Sequence, residues 1–126
     1  LMAGLTSYVV AKILGLIYQP EQLRPFELLG VNPGAAYLNN PGFPSDHALF
    51  AMFLVLAVWY ALRRRSITII MLTIALLVGV GRILALVHTP LDVVGGMAVA
   101  CLGALWYVDW PNVKLASSKK RKNVVK

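Results

Sequence analysis

Most of this 126-residue chain belongs to four long apolar segments. They cover residues 1–18, 48–62, 67–87 and 93–108. Lys12 is the only charged residue in the first segment and Arg82 the only one in the third, while the other two segments contain none. Hydrophobic residues make up 59% of the chain and charged residues 13%, about half the charged fraction of a soluble domain. A chain this small cannot cover a soluble globule with so few charges, so we predict an all-α membrane bundle with four visible transmembrane helices.

The basic residues predict how this bundle lies in the membrane. Nine of the twelve Lys and Arg residues flank the apolar segments at one end: Arg63, Arg64, Arg65, Lys114, Lys119, Lys120, Arg121, Lys122 and Lys126. By the positive-inside rule they mark the cytoplasmic side. We therefore predict a multi-pass membrane domain at residues 1–110 and a basic cytoplasmic tail at 111–126. Topology accounts for these charges, so the net charge of +7 does not predict nucleic acid as a partner.

The other ionisable residues gather on the predicted outer face. A loop at about residues 19–45 holds five of the seven prolines, and a short interfacial helix is expected within 20–29. The basic residues not explained by topology, both histidines and two aspartates fall on this face: Lys12, Arg24, Arg82, His47, His88, Asp46 and Asp92. Ionisable groups at membrane depth are costly and usually functional. We therefore predict a site at the periplasmic or extracellular end of the bundle.

Two helix starts lie within this cluster. In Pro44-Ser45-Asp46-His47, Ser45 is a predicted N-cap, and the free N–H groups of a helix start suit a phosphate. In Thr89-Pro90-Leu91-Asp92, Thr89 is a predicted N-cap, and Asp92 the carboxylate of its capping box. From that first turn Asp92 can also orient the ring of His88, the arrangement of an activated nucleophile or base.

The residue types favour phosphoryl chemistry over a metal site. Two histidines with different neighbours suggest that one attacks and the other protonates the leaving group, while three cations stabilise the phosphoryl charge. His47, His88, Asp46 and Asp92 offer zinc ligands as an alternative, but the neighbouring cations repel a dication. Cys101 is the single cysteine, which excludes an internal disulfide or a cysteine-rich zinc site. We predict that the reaction needs neither a metal nor a cofactor.

These motifs together resemble a known family. Arg82-x5-His88-x3-Asp92 resembles the third signature of the type 2 phosphatidic acid phosphatase superfamily, and residues 44–47 resemble its second signature, Pro-Ser-Gly-His. Gly81 replaces the usual Ser before the arginine. The first signature, Lys-x6-Arg-Pro, is imperfect, because Lys12 is followed at the right spacing by Gln19-Pro20. Either Arg24, within Arg24-Pro25, takes the place of the family's arginine, or Lys12 is not the equivalent lysine.

The resemblance implies a role for each candidate. His88 would be the nucleophile that forms a phosphohistidine, Asp92 would orient it, and His47 would be the general acid. The implied phosphate-binding residues are Lys12, Arg24, Arg82 and Ser45. Asp46 is grouped with the substrate-binding residues, where it either pairs with Arg24 or helps to set the protonation of a diphosphate.

The form Phe43-Pro44-Ser45-Asp46-His47 is similar to that of bacterial undecaprenyl-diphosphate phosphatases. The implied reaction is therefore hydrolysis of undecaprenyl diphosphate to undecaprenyl phosphate. The alternatives are a phosphatase of phosphatidic acid or phosphatidylglycerophosphate, a lipid phosphotransferase, or an inactive protein that binds lipid phosphate. Relatives usually carry about two further helices upstream, and the chain begins without Met, so we expect a fragment of a six-helix bundle.

Overall fold

A computed structural model describes residues 2–18, 24–37 and 42–107 of the protein, and this part of the chain forms helices and turns without any strand. The helices are α1 (Met2–Ile17), α2 (Pro25–Leu29), α3 (Asp46–Leu62), α4 (Arg65–Leu84) and α5 (Pro90–Gly103), followed by a 3₁₀ helix (Ala104–Tyr107). The predicted all-α class is confirmed for these residues. The predictions on Gln19, Pro20 and the tail at 111–126 lie outside them.

Two stretches of helix are long and apolar enough to cross a membrane. They are α4, with 20 residues, and α5 together with the 3₁₀ helix, with 18 residues. The helices α1 and α3 are apolar but shorter. Many large apolar side chains point outward, including Leu77 (65% exposed) and Leu84 (76% exposed). Outward apolar faces of this extent suit hydrocarbon rather than water, as expected of a membrane protein.

Helix α5 packs against α1 and α3, and α4 packs mainly against α3 and also contacts α5. The core between these helices is formed by Ala11, Leu49, Val99 and Ala100. Two of these four are alanines, which let helix backbones approach closely. Close packing of small residues is a main source of helix association in a bilayer.

The N-terminus of α3 and that of α5 lie at the same end of the bundle, because the backbone N–H of Ser45 donates a 2.9 Å hydrogen bond to the carbonyl of Asp92. The side chain of Ser45 caps α3, and Thr89 and Asp92 form a capping box at the start of α5. Both predicted caps are confirmed. Helices α3 and α4 are joined at the opposite end by Arg63 and Arg64, so α4 returns to the capped end.

Glycine makes the approach of α5 to the start of α3 possible. A Cβ atom at Gly96 would lie 2.5 Å from the carbonyl oxygen of Ser45 and 3.1 Å from the backbone nitrogen of Leu49. One at Gly95 would lie 2.5 Å from the ring of Phe43. Neither glycine is among the site residues predicted from the sequence. In the structure they hold the segment leading into α3 against α5.

We predict opposite effects of alanine at two helical glycines. Gly96→Ala should destabilise the fold by roughly 1–3 kcal/mol, because backbone atoms of α3 must move away. Gly81→Ala, at a position with no atom within 4 Å of the new Cβ, should stabilise it by up to about 1 kcal/mol. Thermal unfolding in detergent measures both. Equal stability of the two variants would contradict the packing described here.

Candidate active site

The capped end of the bundle contains a small polar cavity. It is lined by residues of α3 and α4 and of the segments that precede α2, α3 and α5: Arg24, Gly42, Pro44, Asp46, His47, Arg82 and His88. Asp92 lies behind His88, and Lys12 reaches the edge of the cavity from α1 through Asp46. Seven of the eight residues that the sequence singled out therefore lie in or beside this cavity, and the eighth, Ser45, caps the helix that carries Asp46 and His47.

His88 and Asp92 form a buried pair on consecutive turns. The distance from His88 Nδ1 to Asp92 Oδ2 is 3.7 Å, and both side chains are more than 90% buried. The same carboxylate oxygen accepts a 2.7 Å hydrogen bond from the backbone N–H of Thr89. At 3.7 Å the contact with His88 is too long for a hydrogen bond, and Nδ1 has no other partner among the described residues. Such contacts often shorten when substrate binds.

The guanidinium of Arg82 is the most deeply buried cation of the cavity. It belongs to the last turn of α4, and the residue is 8% exposed. Its Nη1 donates a 2.9 Å hydrogen bond to the carbonyl of Ala36 in the outer loop. Its Nε and Nη2 are buried without a hydrogen-bond partner among the described residues. These two groups share one edge of the planar guanidinium, which matches two oxygens of a phosphate.

Arg24 approaches the same cavity from the outer loop. It is the N-cap residue of α2, and its backbone N–H donates a 2.8 Å hydrogen bond to Glu27. Its guanidinium lies 4.9 Å from the ring centroid of Tyr37, and Nη1 donates a 3.2 Å hydrogen bond to the carbonyl of Val87. Val87 directly precedes His88, so Arg24 lies beside the candidate nucleophile.

Lys12 and Asp46 form a salt bridge at the edge of the cavity. Lys12 Nζ lies 3.2 Å from both carboxylate oxygens of Asp46, and the two side chains are 42% and 31% exposed. The salt bridge of Asp46 is thus with Lys12, whereas the sequence offered pairing with Arg24 as one of two possibilities for Asp46. The sequence misses this because Lys12 and Asp46 lie 34 positions apart on different helices.

His47 and Ser45 occupy different environments at the start of α3. His47 is exposed and lines the cavity, whereas Ser45 is fully buried. The hydroxyl of Ser45 lies 3.5 Å from the backbone nitrogen of Ala48, from which it accepts the cap hydrogen bond. Ser45 therefore acts on the cavity through the geometry of the helix start, which orients the neighbouring His47.

Sequence reasoning missed several groups around this cavity. The carbonyls of Ala36 and Val87 carry no signal in the sequence, since every residue has one. Tyr37 gave no signal either. Gly42 is not among the predicted site residues, yet a Cβ there would lie 3.7 Å from Asp92 Oδ2 and 4.0 Å from His88 Nδ1. A larger residue at position 42 would enter the space in front of the histidine.

The donor set of the described residues suits an anion better than a metal ion. No three His, Cys, Asp or Glu side chains of this part of the chain group closely enough to hold a metal. Arg24 and Arg82 instead line the cavity together with the two histidines. Such a set can bind a multiply charged oxyanion, attack it with one imidazole and protonate its leaving oxygen with the other.

Comparison with known proteins agrees with this chemistry. The model of the PAP2 superfamily matches residues 1–115, so the chain belongs to this superfamily. It is 34% identical to the bacitracin transport permease protein BcrC of Bacillus licheniformis over 117 residues, which are 87% of this chain and 54% of that protein. It is 30% identical to the undecaprenyl-diphosphatase BcrC of Bacillus subtilis over 101 residues, 80% of this chain and 50% of the relative.

The chain thus spans about half the length of the curated relatives it matches. No solved structure matches it significantly. The family resemblance that the sequence motifs predicted is confirmed, and it extends over the whole described part of the chain.

We predict that Arg82→Lys weakens the binding of inorganic phosphate by about tenfold or more. Lysine keeps the charge but loses the paired donors on one edge, and hydrogen bonds to charged groups contribute about 1.5–3 kcal/mol. Titration calorimetry in detergent measures the affinity. Arg63→Lys is the matched control, because Arg63 lies at the opposite end of α3 against Tyr60. Equal affinities of the two variants would remove Arg82 from the phosphate site.

Proposed function

We propose that the protein is a membrane lipid phosphatase, and that its substrate is a lipid-linked diphosphate, most specifically undecaprenyl diphosphate. The observation that carries this proposal is the buried edge of Arg82. Two donors of the Arg82 guanidinium, Nε and Nη2, are buried without a partner among the described residues, and Arg82 lines the same cavity as His88 and His47. A buried polar group without a partner is costly, and two oxygens of a phosphate would satisfy both donors at once.

The first step of the reaction follows from the orientation of His88. Its Nδ1 faces Asp92, so the carboxylate favours the tautomer with the proton on Nδ1 and leaves the lone pair on Nε2. Nε2 attacks the terminal phosphorus, and an N–P bond forms as the P–O bond to the leaving group breaks. His47 gives a proton to the leaving oxygen. The products of this step are a phosphohistidine and the lipid monophosphate.

The second step releases phosphate. His47, now neutral, takes a proton from a water molecule as that water attacks the phosphohistidine, and the N–P bond breaks. Both histidines then return to their starting states. Throughout, Arg82, Arg24 and Lys12 offset the charge on the oxygens of the phosphoryl group, which is the main task of a protein in phosphoryl transfer.

The membrane setting is the second part of the proposal. We place four transmembrane helices in this chain, formed by α1, α3, α4 and α5, within a larger bundle. The arginines between α3 and α4 lie at the end opposite the cavity. With those arginines on the cytoplasmic side, the cavity faces the periplasm or the cell exterior, where a carrier lipid would be released after use.

We predict that His88→Ala abolishes phosphate release from undecaprenyl diphosphate in detergent with EDTA present. Activity should be lost because, among the described residues, no other imidazole lies beside Asp92 to replace His88 as the nucleophile. Phosphatidic acid is the comparison substrate, and Cys101→Ser is the control variant, because Cys101 is exposed on α5 away from the cavity.

Each result of this assay has a distinct meaning. Release from the diphosphate alone supports a carrier-lipid phosphatase, and release from both lipids indicates a broad lipid phosphatase. Activity retained in His88→Ala would refute the assigned nucleophile. Activity lost in EDTA and restored by zinc or magnesium would refute metal independence. A folded wild-type protein without any release would favour the inactive, lipid-binding alternative.

For Asp46 we expect a small effect. Asp46→Asn should change kcat/KM by less than about fivefold, because a half-exposed ion pair contributes about 0.2–1 kcal/mol, and this change should fade at high salt. Lys12→Ala should cost more, since it removes the cation itself. A loss in Asp46→Asn as large as that in His88→Ala would mean that Asp46 takes part in proton transfer to the diphosphate.

A further inference from the structure

A second, apolar cavity lies between α3 and α4 and meets the polar cavity at one end. Its volume is about 440 Å³, within the range of about 300–1,000 Å³ common for small-molecule sites. Asp46 and His47 line its end and also line the polar cavity, and its other lining residues are apolar. The two cavities therefore adjoin at Asp46 and His47, and one is lined by charged groups while the other is lined mainly by apolar side chains.

The lining of this cavity follows one face of each helix. Positions 47, 50, 51 and 54 contribute from α3, and positions 71, 74, 75 and 78 contribute from α4. This spacing is that of a single helical stripe, so two apolar stripes face each other across the gap. Ala51 and Ala75 lie in the middle of their stripes, and their small side chains leave the gap open.

The cavity is closed at its floor and open at its rim. Ala75 is 1% exposed, whereas Phe50 is 60% and Ile74 is 50% exposed. Residues 47 and 54 of α3 lie seven positions apart, as do residues 71 and 78 of α4, and this spacing corresponds to a length of about 10 Å. An apolar chain can thus enter from the side and lie along the helices, starting from His47.

We propose that this cavity binds the first part of the hydrocarbon chain of the lipid phosphate. The inference rests on the proposed function and deepens it. Arg24, Arg82 and Lys12 place the anionic headgroup at the charged end, and the apolar stripes continue from that end. A molecule with an anionic head and a long apolar chain is complementary to both parts.

The position of His47 supports the same occupant. In the proposed reaction the leaving group carries the hydrocarbon chain, so the general acid must lie between the phosphoryl group and that chain. His47 lines both cavities and is at this junction. A chain held between α3 and α4 would therefore bring the leaving oxygen to His47, and its binding would favour the reactive geometry.

The test is to fill the cavity and compare substrates of different chain length. Ala51→Phe in the full chain should lower kcat/KM for a long-chain polyprenyl diphosphate by about tenfold or more, because a misplaced substrate reacts slowly. Its kcat/KM for methyl diphosphate, whose single carbon cannot reach position 51 about 6 Å along the helix from His47, should stay within about twofold of the wild-type value. Ala61→Phe is the matched control, since Ala61 is an exposed residue of α3 outside the cavity, and it should change neither value.

Two kinetic results would overturn the proposal. One is an unchanged kcat/KM for the long-chain substrate in Ala51→Phe. The other is an equal loss on both substrates, which would place the damage at the phosphate site or in the fold.

A second measurement keeps the proposal testable if the wild-type protein hydrolyses neither substrate, the result that would refute the proposed function. A long-chain alkyl phosphate with a diazirine near its head should label α3 and α4 at positions 50–54 and 71–78, and Ala51→Phe should reduce this labelling. Even labelling of all outward apolar faces, including Leu5 of α1 and Leu102 of α5, would show contact with bulk lipid only and overturn the inference.

Discussion

The site depends on Asp92, which makes three contacts from one residue. Its side chain accepts the backbone N–H of Thr89 and starts α5. The same oxygen lies 3.7 Å from His88 Nδ1. Its backbone carbonyl accepts the N–H of Ser45, which caps α3. Asp92 thus starts α5, joins it to the cap of α3 and faces His88. The geometry of His88 and His47 therefore depends on the packing of α3 on α5. That packing in turn needs glycine at position 96.

The cations of the site are held by backbone carbonyls as well as by acids. Arg82 donates a hydrogen bond to the carbonyl of Ala36, and Arg24 donates one to the carbonyl of Val87. Asp46 forms its salt bridge with Lys12. A carbonyl orients a guanidinium without neutralising it. Arg82 forms no ion pair among the described residues and keeps its charge for an anionic ligand, although burying a charge without a counter-ion is costly. Lys12, half-exposed and paired, is the cation whose charge is already partly offset.

Local signals in the sequence predict the helices and their caps, whereas contacts between distant segments cannot be predicted from the sequence. Ser45 and the Thr89–Asp92 box are set by neighbouring residues, and apolar runs with few charges predict the helices and the shared end of the site. The salt bridge of Asp46 with Lys12 was not predicted, because it depends on how α1 packs near α3. The cavity beside His47 was not predicted either, since a stripe such as 47, 50, 51 and 54 reads the same whether a helix or a ligand faces it.

Arg24 reaches the cavity although its spacing from Lys12 differs from that of the first signature, and contacts with a distant turn explain how. The segment that carries Arg24 is tied to the turn before His88, because Phe26 N–H donates to the carbonyl of Leu86 and Gly34 N–H to that of Ala85, each at 3.0 Å. Arg24 is therefore placed by the turn between α4 and α5, and its distance along the chain from Lys12 matters little. A cation positioned by such contacts can reach the cavity from a loop whose length differs from the family pattern. Of the two possibilities for the first signature, we therefore propose the one in which Arg24 takes the role of the family's arginine and Lys12 remains the lysine.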